Sequence, residues 1–151
     1  QDDTNNFHGN VNVGIYTADA KYRRAGAEVK AEYVGIDLSN TKYLGSAAAP
    51  VGSRMSGWNS ELAYHTASFI EEEAEWDLVP FVRYEDFDTN ENVASGRTRD
   101  WSAHREIWTY GLAYYPIAQI AVKADVESWQ DHKRPERQSI DRYNVGLAWM
   151  F

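Results

Sequence analysis

The sequence contains no cysteine, so disulfides and thiolate metal sites are excluded and no redox compartment follows from its composition. It also has no apolar run approaching the roughly 18 residues that a spanning helix needs. A helical membrane protein is therefore excluded. Positive charge is in deficit: 15 Lys and Arg against 23 Asp and Glu leave a net charge of -8, which argues against a nucleic-acid binder with its basic face. The one basic cluster, Lys133, Arg134 and Arg137, is interrupted by Pro135 and Glu136 and reads as a solvated loop. The chain opens at Gln1-Asp2-Asp3-Thr4 without a basic or apolar leader pattern. Either a signal peptide has been removed or the start lies within a longer protein.

What the chain has in quantity is aromatic side chains, 14% of its 151 residues, with 10 Tyr and 6 Trp. That length suits a single unit. A mean hydropathy of -0.62 leaves one membrane architecture open, because a barrel strand shows lipid only at alternate positions and is polar at the rest. The last nine residues carry that pattern. Tyr143, Val145, Leu147, Trp149 and Phe151 project to one side of a strand, and Asn144, Gly146, Ala148 and Met150 to the other. An exposed aromatic edge strand invites aggregation unless a barrel closes over it.

Alternating, β-branched and aromatic stretches recur along the chain, and no segment keeps a helical period. Strands are expected over 9–22, 28–38, 58–69, 77–87, 105–115, 118–129 and 140–151. Short joints at 23–27, 71–76 and 116–117 alternate with longer polar ones at 39–57, 88–104 and 130–139. Outer-membrane barrels show this asymmetry, with tight periplasmic turns and long outer loops. The expected fold is an all-β, antiparallel transmembrane β-barrel with about seven or eight strands in this chain. Single-chain bacterial barrels have even strand counts, so a count of seven implies a missed strand near residues 1–12 or the C-terminal part of a larger barrel.

Face assignments follow from parity. Lys30, Glu32, Glu61, Arg83, Glu85, Lys123, Asp125 and Glu127 form the expected lining of a wet lumen. Trp58, Tyr84, Trp108, Tyr110, Tyr114, Tyr143, Trp149 and Phe151 form the expected lipid-facing, aromatic set, with Trp129 also placed in the girdle. In the first two strands the apolar parity switches: Val11, Val13 and Ile15 share one face, Ala18, Ala20 and Tyr22 the other. A bulge near Tyr16 or Thr17 is expected there, and Ile36 and Leu38 slip likewise against Val29, Ala31 and Tyr33.

Several stretches together resemble a known family. Leu78-Val79-Pro80-Phe81-Val82-Arg83-Tyr84-Glu85, Tyr114-Tyr115-Pro116, Val122-Lys123-Ala124-Asp125, Arg142-Tyr143-Asn144-Val145-Gly146-Leu147 and the terminal Phe151 resemble the C-terminal strands of phosphate-selective porins of the O and P type. Ala18-Asp19-Ala20-Lys21-Tyr22 and Val29-Lys30-Ala31-Glu32-Tyr33 resemble that family's recurring hairpin. The resemblance implies a 16-stranded, usually trimeric barrel whose solute is selected by a constriction loop and basic clusters. It implies insertion into the outer membrane of a Gram-negative bacterium by the barrel assembly machinery, which reads the Phe151 strand. The family's phosphate-binding lysines fall upstream of the matched region, so none is transferred.

Catalytic and metal chemistry has no local signature. His8, His65, His104 and His132 lack ligand spacing and read as surface or loop histidines. Glycine-rich phosphate loops are absent, and Ser60, Glu61 and His65 form no nucleophile motif. Glu71, Glu72 and Glu73 read as a solvated turn. No enzyme, metal or cofactor is expected. The leading function is a porin-like channel for small polar or charged solutes, anions such as phosphate among them. The alternatives are a small closed eight-stranded barrel with a structural or loop-binding role and a soluble ligand-binding barrel.

Overall fold

A computed structural model describes residues 10–44, 50–70, 74–131 and 139–150, with Tyr43 and Asp131 described as backbone. Among these residues the chain is all-β. Its strands are β1 (Val13–Arg24), β2 (Ala27–Leu38), β3 (Gly52–Tyr64), β4 (Asp77–Val93), β5 (His104–Ile117), β6 (Ile120–Asp131) and β7 (Ser139–Trp149). They form one antiparallel sheet in chain order, each strand paired with the next. Strands of 11 to 17 residues are well beyond the usual five or six and match or exceed the 9–11 that cross a bilayer. No helix among the described residues is long and apolar enough to cross a membrane.

The connections explain the register. β1 and β2 are joined by Ala25 and Gly26, with φ of 50° and 81°, the left-handed pair that a type I′ hairpin needs. β3 stops at Tyr64, short of the expected Phe69, because capping interactions beyond it favour a turn. Thr66 donates through Oγ1 to the Leu78 carbonyl (2.8 Å), and the Ala67 amide donates to Asp77 Oδ1 (3.1 Å). A four-residue helix, α1 (Ala67–Ile70), follows. β4 extends past Phe87 to Val93, with register shifts against Gly52, Arg54 and Ser56 of β3.

No bulge interrupts β1. Its pairing with β2 runs without a break from Val13 opposite Leu38 to Arg24 opposite Ala27. The change of apolar parity has another cause. Val13, Ile15, Val34, Ile36 and Leu38 share a face with Lys21 and Lys30, so that face is apolar toward the long loops and charged toward the short turns.

The two faces differ in packing. Ala63, Val79 and Ala113 form a buried cluster with Phe81 and Tyr115 against it, and Ile107 and Thr109 are buried on the same face. The opposite face stays open, with Tyr110 55% and Tyr143 80% exposed. Curling a sheet crowds side chains on its inner side, so the buried face is the concave one.

The expected closure is not seen. The sheet has seven strands and is not closed into a barrel: β1 and β7 are its two edges, and every residue of both is exposed. A small closed eight-stranded barrel is therefore not the architecture of the described residues. A first strand beginning at residue 9 lies partly outside them.

Candidate functional site

The functional surface is built by cross-strand register. One row reads Lys21, Lys30, Glu61, Arg83, Thr109, Glu127 and Arg142 across all seven strands on the concave face. Each is flanked in sequence by a member of the row Tyr22, Val29, Leu62, Val82, Tyr110, Val126 and Tyr143, which crosses the same strands on the convex face. Successive side chains point to opposite sides of a strand, so the two rows stand back to back.

The structure brings all eight expected lining residues onto the concave face. Glu32, Asn59 and Glu85 stand in one register row, Phe81, Gly111 and Asp125 in another, and Lys123 lies opposite Ala113. Ion pairs cross-link them. Lys30 Nζ lies 3.0 Å from both Glu61 Oε1 and Glu28 Oε1, Arg83 Nε 3.4 Å from Glu85, and Lys123 Nζ 3.3 Å from Asp125. Lys123 also sits 4.7 Å from the Phe81 ring centroid, a cation–π contact.

Sequence reasoning missed the residue that organises this cluster. Glu28 is only 4% exposed and accepts from Lys21 and Lys30, each at 3.0 Å, while His65 Nε2 lies 3.5 Å from it. His65 is a loop histidine, between β3 and α1, and its Nδ1 is 2.6 Å from Asp77 Oδ2. His104 Nε2 is 3.1 Å from Asp86. His8, His132 and Glu71–Glu73 lie outside the described residues. Among those described, no group of three or more His, Cys, Asp or Glu is arranged to hold a metal ion.

The aromatic set falls on the convex face as parity indicates. Trp58, Tyr84 and Trp108 touch in series, with centroids 5.2 and 4.8 Å apart, and Trp108 stacks at 6.2 Å on Tyr110. One step toward the long loops stand Asp86 and Glu106, so this belt marks a polar boundary. At the other end lie Tyr114, opposite Val122, and Trp149, opposite Ile120. From Ser128, opposite Trp108, to Ile120, the β6 backbone advances about 26 Å. Phe151 lies outside the described residues.

Trp129 is a correction. It stands opposite Ile107 and Ile140 on the charged face, since its parity is that of Lys123, Asp125 and Glu127. Its Nε1 donates to Glu127 Oε2 (2.8 Å). The Arg142 guanidinium carbon lies 4.0 Å from its ring centroid and that of Arg105 5.9 Å.

No protein-family model matches the chain, and no solved structure matches it. An uncharacterised protein of Aquifex aeolicus is 30% identical over 134 residues, which are 88% of this chain and 30% of that relative. The chain thus spans about a third of the length of the relative it matches.

Proposed function

We propose that this sheet is part of the wall of an outer-membrane β-barrel channel, with the charged concave face toward a water-filled lumen and the apolar convex face toward lipid. The observation that carries the reading is the pair of rows standing back to back, Lys21 to Arg142 on one face and Tyr22 to Tyr143 on the other. Charges around a wet lumen lower the barrier for polar solutes and bias them by sign. An apolar row crossing every strand is what lipid solvates, since aqueous exposure of so large a greasy surface is unfavourable.

Two unpaired edges require further strands, because unsatisfied backbone groups are not tolerated in hydrocarbon. β1 and β7 run in the same direction, being odd members of an antiparallel series. An odd number of additional strands therefore closes the barrel with every pair antiparallel and an even total. The likeness to O and P porins belongs to this proposal, as do a Gram-negative outer membrane, a homotrimer and insertion by the barrel assembly machinery.

Planar-bilayer recordings of the purified complete protein test the reading. Stepwise conductance in potassium chloride supports it, and its absence across repeated reconstitutions contradicts it.

A further inference from the structure

The concave face is not uniformly polar. Between β2, β3 and β4 lies a groove of about 280 Å³ walled by Val34, Ile36, Met55 and Phe87, near the lower end of the ~300–1,000 Å³ range of small-molecule sites. Gly57 makes the room, standing between Val34 and Phe87 in register. A Cβ there would come within 2.8 Å of Phe87 Cβ.

Charge lies beside this apolar floor. Phe87 is opposite Arg105, and Ile107, 4% exposed, is opposite Trp129 in the next row. Arg105 and Arg142 both approach the Trp129 indole. A guanidinium stacked on an indole keeps its planar N–H edge free and oriented, which suits a carboxylate.

The neighbouring acids are already engaged. Glu85 pairs with Arg83 and Asp88 with Arg99, Glu32 accepts from Asn59 at 3.2 Å, and Glu127 accepts from the Trp129 indole. Among the described residues no carboxylate is in ion-pair contact with Arg142, although Glu127 is its register neighbour. Arg142 and Arg105 reach the Trp129 ring at 4.0 and 5.9 Å, so Arg142 is the more closely stacked.

The geometry points to a binding site for an organic anion with a compact apolar or aromatic body: the carboxylate on the Arg142 and Arg105 edge, the body over Phe87 toward the groove. This deepens the channel reading, on which it rests for the direction the concave face takes. Inorganic phosphate has no use for the apolar half.

Calorimetric titration of the complete protein in detergent tests it, with benzoate, inorganic phosphate and benzyl alcohol as probes at one ionic strength, each corrected for the micelles alone. Benzoate is expected to bind saturably and at least tenfold more tightly than either other probe. Arg142→Gln should weaken it tenfold or more, Arg142→Lys should weaken it less, and Trp129→Leu should also weaken it. The absence of saturable benzoate binding overturns the site, as does phosphate binding equally well. Conductance without benzoate binding removes the site and leaves the channel; benzoate binding without conductance removes the channel and leaves the site.

Discussion

Lys30 and Glu61 stand opposite one another across β2 and β3 with Nζ and Oε1 3.0 Å apart, while their sequence neighbours Val29 and Leu62 stand opposite one another on the other face. One residue step separates an ion pair from an apolar pair. A step from a polar to an apolar side chain recurs on every strand of the sheet, and it turns a sequence of low mean hydropathy into a surface with one greasy side.

Glu28 should matter most among the concave-face charges. Its carboxylate is buried and accepts from Lys21 and Lys30, so Glu28→Ala leaves both ammonium groups without that partner. A loss of about 1.5–3 kcal/mol is expected, the range for a hydrogen bond to a charged group. Urea unfolding in detergent measures it.

Neighbouring positions on β6 should respond oppositely to the same residue. Val126→Arg places a charge in the apolar band and should cost about 2–4 kcal/mol if the position is near the midplane. Glu127→Arg points into the charged face and should cost much less. Unfolding of the two variants in the same lipid compares them directly.

The β1–β2 turn holds Ala25 at φ 50°, where an L-residue with a Cβ is disfavoured and Asn is several-fold enriched. Ala25→Asn creates the Asn-Gly pair that type I′ hairpins favour. A stabilisation is expected, read as a raised unfolding midpoint.

Gly111 lies beneath the Phe81 ring, and a Cβ there would come 2.2 Å from Phe81 Cζ. Gly111→Ala forces the ring away from a packed position, so a loss of about 1–3 kcal/mol is expected. Adding Phe81→Leu should recover part of it, which a double-mutant cycle measures.

Much of this was legible in the sequence because the period of a strand is two. Val122 through Glu127 alternate without exception, so their faces needed no structure. Trp129 obeyed the same parity, but grouping it with the other tryptophans by residue type placed it on the wrong face. The apolar switch at Val13 and Ile15 suggests a bulge only where one face is polar throughout; the register shows a continuous strand with an apolar patch on the charged side. His65 and Glu28 could not be paired from sequence, since the contact depends on where β3 ends and on the turn at 65–67 that follows it. Strand ends at 64 and 93 were set by side-chain caps and loop hydrogen bonds, which leave no periodic trace.

The absence of cysteine makes the central claim directly testable. Single cysteines placed at successive positions from Val122 to Trp129, in the complete protein reconstituted in lipid vesicles, report the two faces through a membrane-impermeant thiol reagent. The account predicts a period of two: labelling at 123, 125, 127 and 129 from the lumen, and protection at 122, 124 and 126 by lipid. Equal labelling at odd and even positions, in protein shown to be folded, would contradict it.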